Sequence, residues 1–223
     1  MRVAIIDYGM GNLFSVQRAC EQVGLDSVLA TSPETVLAAD GVILPGVGAF
    51  GDAMEALRQS GLADALCRVT QEDKPILGIC LGMQLLMEES FEFGRHPGLG
   101  ILKGSVIPLQ ESASSAGHFK VPHVGWSQIW RRSKPTAAVD TWKETPLQNL
   151  EDGAYMYFVH SFTVVPESDC SLSTTRYGQN EFCSSLARGN IFACQFHPER
   201  SGPQGLRIYQ AWAAQLKKSG ALL

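Results

Sequence analysis

Three short stretches of this sequence hold residue types that could do chemistry together. The first is Gly78-Ile79-Cys80-Leu81-Gly82, which ends one apolar run and opens another. This is the pattern of a nucleophile elbow with cysteine as the attacking group. A sharp strand-to-helix turn pushes the thiol up, and the glycines avoid clashes that side chains would cause. At the start of a helix the dipole favours the thiolate. A buried thiol at a tight turn would read the same way, so this stretch alone leaves both readings open. The second stretch is His197-Pro198-Glu199, after the apolar run Ile191 to Phe196. Residues two apart on an extended chain point the same way. The carboxylate could then hold one ring nitrogen and leave the other as base. Alone, the pair would pass for a capping Glu and a surface His. With a cysteine elbow upstream it becomes the expected general base and its orienter. The third stretch is Pro45-Gly46-Val47-Gly48. Acyl transfer needs backbone N–H groups aimed at a developing oxyanion. Leu81, just after the cysteine, can supply one and this glycine loop the other.

The same loop continues as Gly46-Val47-Gly48-Ala49-Phe50-Gly51, which spells a dinucleotide-binding GxGxxG. That reading needs an acidic residue at the end of the next strand. The next strand ends in Ile79-Cys80 instead, and no cofactor is expected.

These groups need a scaffold that brings several strand ends to one edge. The spacing predicts a strand at Val3 to Asp7, a helix at Leu13 to Val23, and strands at Ser27 to Thr31 and Gly41 to Leu44. Helices at Ala49 to Gln59 and Leu62 to Val69 follow, then a buried strand at Pro75 to Cys80 and a helix at Leu81 to Glu88. Continuous apolar strands with helices between them imply a parallel sheet covered on both faces. The second half reads as strands at Ile101 to Leu109, Val121 to Trp130, Ala154 to Val165, Leu172 to Tyr177, Glu181 to Ala187 and Ile191 to Phe196. A helix from Gln204 to Lys218 closes the chain. The expected fold is therefore α/β: a mostly parallel open sheet flanked by helices, flavodoxin-like in three layers, with extra antiparallel strands in the C-terminal half. Glu111 to Gly117 and Arg131 to Asp152 read as exposed loops. Without a repeat or linker, residues 1–223 are expected to form a single domain.

Composition narrows the function classes. The chain has 223 residues, a net charge of −4 and no basic cluster, so a nucleic-acid partner is not expected. No run of eighteen apolar residues suggests a membrane span, and the N-terminus turns acidic at Asp7, unlike a signal peptide. None of the six cysteines forms a CxxC pair, so no metal site is expected. Reduced thiols and a cytoplasmic location are the expectation.

The Asp7-Tyr8-Gly9-Met10-Gly11-Asn12-Leu13 opening, the Pro45–Gly48 loop, the elbow continuing into Met83-Gln84 and the His197-Pro198-Glu199 end resemble the class I (triad) glutamine amidotransferases. Pro122-His123-Val124-Gly125-Trp126 and Tyr157-Phe158-Val159-His160-Ser161-Phe162 narrow the likeness to the glutaminase subunits of imidazole glycerol phosphate synthase, of histidine biosynthesis. The resemblance spans nearly the whole chain. It implies that Cys80 attacks the side-chain amide of L-glutamine, His197 shuttles protons and Glu199 orients His197. Gly46, Val47, Gly48 and Leu81 would hold the oxyanion, and Gln84, Ser161 and Phe162 the amino-acid end. Ammonia would pass to a (βα)₈-barrel cyclase subunit in a heterodimer, which makes imidazole glycerol phosphate and AICAR. Trp126, Tyr157 and Arg200 match positions that face that partner, whose binding is expected to raise the hydrolysis rate allosterically. Ser127 stands where the family usually has Asn, and Arg200 where Lys is common. A paralogous glutaminase serving another acceptor, such as a surface-sugar synthase, and a non-catalytic binding subunit are the competing readings.

Overall fold

In the computed structural model, which describes residues 1–114, 117–132, 140–167 and 169–220, strands and helices alternate through the first half of the chain. β1 (Arg2–Ile6), α1 (Leu13–Gln22), β2 (Asp26–Ala30), α2 (Pro33–Leu37) and β3 (Gly41–Leu44) lead into α3 (Phe50–Gln59), α4 (Leu62–Gln71), β4 (Ile76–Ile79) and α5 (Leu81–Leu85). Strands then dominate. They are β5 (Met87–Ser90), β6 (His96–Pro97), β7 (Leu102–Pro108), β8 (Ser112–Ser114), β9 (Gly117–Phe119), β10 (His123–Arg131) and β11 (Ala154–His160), then β12 (Phe162–Pro166), β13 (Ser171–Tyr177), β14 (Asn180–Arg188) and β15 (Ile191–Cys194). The long helix α6 (Gly202–Gly220) follows.

One nine-stranded sheet runs in the order β11-β10-β13-β14-β15-β4-β3-β1-β2. Its half from β15 to β2 is parallel, and its other half is antiparallel. The parallel half has the doubly wound order in which ligands sit at the carboxyl ends of the strands. Its strands are apolar on both sides because both faces are covered. In β1, Ala4 and Ile6 face the layer of α2, α3 and α4, while Val3 and Ile5 face α1 and α6. A second sheet, β12-β7-β5-β6, packs beside the first layer. Among the described residues, no helix is long and apolar enough to cross a membrane.

The sequence expectations need five corrections. The helix expected through Glu88 stops at Leu85, and Met87–Ser90 is strand β5. The carbonyls of Leu85, Leu86 and Met87 accept from the amides of Leu99, Leu102 and Gly100, so long-range pairing captures a short apolar run that fits either structure. The strand expected from Ala154 to Val165 is two strands in different sheets. β11 pairs with β10, while β12 pairs with β7, and Ser161 is the step between them. Helix α2 was not expected; Ser32 caps it by accepting from the Thr35 amide at 3.5 Å.

The two segments read as exposed loops also differ. Ser112–Ser114 pairs with Gly117–Phe119 as a two-stranded ladder. Residues 133–139 lie outside the described residues, but 140–152 contributes to the core. Trp142 and Leu147 are fully buried and Leu150 nearly so. The Trp142 indole N–H donates to the Leu172 carbonyl at 2.9 Å, and the Arg131 guanidinium lies 4.4 Å over its ring. Trp142→Ala should therefore destabilise the chain by about 3–5 kcal/mol. Urea unfolding of the variant measures this directly, and a loss under about 1 kcal/mol would mean the segment is peripheral.

Candidate active site

Strand β4 ends at Ile79, and the chain turns directly into α5 at Cys80. Cys80 takes φ 54 and ψ −110, a conformation that L-residues rarely hold. Its amide donates to the Cys194 carbonyl of β15 at 2.8 Å, which anchors the turn to the neighbouring strand. Gly82 is required by its surroundings, and Gly78 sits in a tight fit. A Cβ on Gly82 would overlap the Leu44 carbonyl, and one on Gly78 would lie 3.0 Å from the Ala193 Cβ. The elbow thus wedges between β3 and β15, and only a bare backbone fits beneath the thiol.

β15 delivers the partner groups. His197 follows it in an extended conformation, and Pro198–Arg200 then forms a single 3₁₀ turn. The two side chains meet through that turn rather than through strand periodicity, which corrects the geometric reason given by the sequence. His197 Nδ1 lies 2.7 Å from Glu199 Oε1, with both side chains almost fully buried. The backbone is fixed as well: the His197 amide donates to the Tyr157 carbonyl at 2.9 Å, and the Ser201 hydroxyl to the His197 carbonyl at 2.6 Å. Burial is the largest influence on His197 and lowers its pKa. The Cys80 charge, a hydrogen bond to Cys80 and the Glu199 carboxylate outweigh it and push the pKa up to about 10. Its Nε2 makes no hydrogen bond to nitrogen or oxygen, which leaves that atom available to the sulfur and its substrate.

Cys80 opens into a cavity of about 240 Å³. Of the residues expected to bind substrate, Val47, Gly48, Leu81, Gln84, Ser161 and Phe162 all line it. Gly46 does not, but sits behind the loop, where a Cβ would strike the Tyr8 hydroxyl. That hydroxyl donates to the Pro45 carbonyl at 3.0 Å, so the loop has one pinned end. Gly48 at φ +100 and the exposed Val47 form the free end. A larger groove of about 360 Å³ between Pro75, Asn190 and Gln215 has no thiol or imidazole on its wall.

The sequence reading did not name Glu92 or Gln195 as site residues, nor Pro122, Val159 and His160, which also line the cavity. Glu92 lines the cavity, and its Oε2 accepts from the Phe50 amide at 2.5 Å. Helix α3 has no side-chain cap of its own at Ala49, so this carboxylate satisfies an orphan donor there. Gln195 is wholly buried; its Nε2 lies 3.6 Å from the Cys80 sulfur, and its Oε1 accepts from Gln84 Nε2 at 2.9 Å. A polar amide inside the apolar run before His197 was the available signal for Gln195. Nothing local marked Glu92.

The expected partner-facing residues also cluster. Trp126 is 54% exposed, and its ring meets Tyr157 edge-on at 6.0 Å. The Arg200 guanidinium lies 4.4 Å over the Tyr157 ring. Val124 and Tyr155 extend the exposed apolar surface. Among the described residues, no group of His, Cys, Asp and Glu is arranged to hold a metal ion.

The profile of the family described as glutamine amidotransferase class-I matches residues 4–216. The chain belongs to the class I glutamine amidotransferases. Within that family it is 44% identical to the imidazole glycerol phosphate synthase subunit HisH of Geobacter sulfurreducens, over 93% of this chain and 95% of that protein. It is equally close to the subunit HisH of Aquifex aeolicus, at 44% identity over 98% of this chain and 99% of the relative. Among solved structures, PurLQS from Thermotoga maritima shares the fold with a TM-score of 0.69 at 22% identity, covering 96% of this chain and 98% of that one. The glutaminase domain of Trypanosoma brucei CTPS, solved with bound acivicin, has a TM-score of 0.61 at 18% identity, covering 98% and 94%. The amidotransferase fold therefore agrees with the α/β architecture expected from the sequence.

Proposed function

We propose that the chain hydrolyses L-glutamine to glutamate and ammonia at Cys80, and passes the ammonia to the barrel cyclase subunit of imidazole glycerol phosphate synthase in the cytoplasm, for histidine biosynthesis. The observation that carries this reading is the Cys80 thiol on the wall of an amino-acid-sized cavity, with the buried His197 beside it and bonded in turn to Glu199 at 2.7 Å. The Cys80 thiolate attacks the side-chain carbonyl carbon of glutamine. The new oxyanion is held by the Leu81 amide and the Val47–Gly48 loop. His197 Nε2 gives its proton to the departing nitrogen, ammonia leaves, and a thioester remains. Water then adds to the thioester with His197 as base, and glutamate departs as the thiolate is restored. Gln84 and Glu92 are placed for the α-carboxylate and α-ammonium end, where the carboxylate of Glu92 suits the ammonium. The histidine-pathway partner is favoured over another acceptor by the 44% identity to the HisH subunits.

The test is glutamate release by the chain alone, with the cyclase subunit, and with that subunit plus its own ligand. Turnover should be slow in the first case and rise about a hundredfold or more in the last, the effect of completing one oxyanion donor. Absence of glutamate under all three conditions would overturn the reading.

A further inference from the structure

Two buried histidines outside the Cys80–His197–Glu199 group form an unbroken chain of hydrogen bonds toward the cavity. Ser127 Oγ lies 2.9 Å from His123 Nε2, and His123 Nδ1 lies 3.0 Å from His160 Nε2. His160 Nδ1 lies 2.8 Å from the Phe162 carbonyl, which also accepts from Gln84 Nε2 at 3.0 Å. The last acceptor fixes every proton. A carbonyl only accepts, so His160 carries its proton on Nδ1. Burial, the largest influence, pulls His160 down to about 3 and His123 down to about 4, so both rings are neutral. His160 Nε2 is then an acceptor, His123 must donate from Nδ1, and its own Nε2 accepts from the Ser127 hydroxyl. Aromatic packing holds the ring planes: His123 stacks on Tyr177 at 4.1 Å and on Phe158 at 4.9 Å, and His160 meets Phe182 edge-on at 4.9 Å.

We propose that Ser127, His123 and His160 are positioning residues that set the Phe162 carbonyl, and through it Gln84, for glutamine binding. Phe162 begins β12 just past Ser161, where the chain leaves one sheet for the other. Backbone bonds to β7 hold this step on one side, with Phe162 paired to Pro108 and the Ser161 carbonyl accepting from the Leu109 amide at 2.8 Å, and the relay adds a side-chain tether to the Phe162 carbonyl. Ser127 directly follows the exposed Trp126 in β10. A displacement of that strand at its outer face therefore moves the first donor of the relay. The relay deepens the glutaminase reading and rests on it.

The test compares His123→Phe with His123→Asn in the complex with the cyclase subunit. Phe keeps the stacking but removes the donor, whereas the Asn amide places an N–H where Nδ1 stood. His123→Phe should raise KM for glutamine roughly tenfold, the effect of one hydrogen bond, with kcat within about threefold. His123→Asn should recover most of that loss. Nitrogen NMR of the wild-type chain supplies a reading that needs no variant: both His123 and His160 should be neutral Nδ1–H tautomers at pH 7. Equal KM values for the Phe and Asn variants, or an Nε2–H tautomer at His160, would overturn the relay. If wild-type complex released no glutamate, the functional reading would fall, and the tautomers would still decide the relay.

Discussion

Cys80→Ala should abolish glutamine-dependent turnover, with a loss of about 10⁴-fold or more, while the protein should still fold and still bind its partner. The loss is this large because nothing else in the cavity can form the thioester. Among the other cysteines, Cys20, Cys183 and Cys194 have thiols pushed up by burial, the largest influence on each, and none of the five lines the cavity. The fold survives because the change removes one sulfur from a turn held by backbone contacts, at a cost within about 1 kcal/mol. The variant also alters His197 in a predictable direction. Burial, the largest influence, lowers the imidazole pKa, and the Cys80 charge is the main force opposing it. Without the thiolate the His197 pKa should fall, which a proton NMR titration of the ring would follow. Glutamate release by the variant at more than about a hundredth of the wild-type rate would contradict the assignment of the nucleophile.

Gly82→Ala should do more damage than its single methyl group suggests. The added Cβ would overlap the Leu44 carbonyl, and backbone on backbone cannot rotate away. Helix α5 has to lift off β3, costing about 3 kcal/mol, which lowers the melting temperature by roughly 6–12 °C. The same movement carries the Leu81 amide and the Cys80 sulfur off their positions, and misplacement by about 1 Å costs about a hundredfold in rate. Gly78→Ala is the control. Its nearest contacts are 3.0 Å to the Ala193 Cβ, 3.1 Å to the Leu86 Cδ1 and 3.3 Å to the Met83 Cα, which shifts of a few tenths of an ångström relieve. It should melt clearly above Gly82→Ala. If calorimetry ranked the two the other way, the wedge between β3 and β15 would not be what shapes the elbow.

The parallel half of the fold was legible because its signals are local. Apolar runs such as Val3 to Ile6 and Gly41 to Leu44, each followed by glycines, mark strands buried on both faces wherever they occur. The elbow was legible for the same reason, since Gly78 and Gly82 stand on either side of Cys80. What escaped depends on distant partners. Helix α5 stops at Leu85 because residues 98–102 supply donors to its carbonyls, and no window around residue 85 contains them. The step at Ser161 depends on β7 being free to receive β12. Trp142 was lost in a polar stretch whose flanking residues mask one deeply buried ring. In the site, Val47, Gly48 and Leu81 were named from the glycine loop and the elbow, and Gln84, Ser161 and Phe162 through family likeness; all line the cavity with Cys80. Glu92 was missed because its orientation comes from the uncapped start of α3, a contact 42 residues away in sequence.

Nitrogen that leaves glutamine at Cys80 should reach the partner's product. One isotope experiment tests it directly. The chain and the cyclase subunit are supplied together with glutamine labelled with ¹⁵N at the side-chain amide and with unlabelled ammonium, and the product is weighed by mass spectrometry. With the wild-type chain the product should carry ¹⁵N. With Cys80→Ala the product should still form from ammonium but without the label. Labelled product from the Cys80→Ala complex, or unlabelled product from the wild type, would contradict the account.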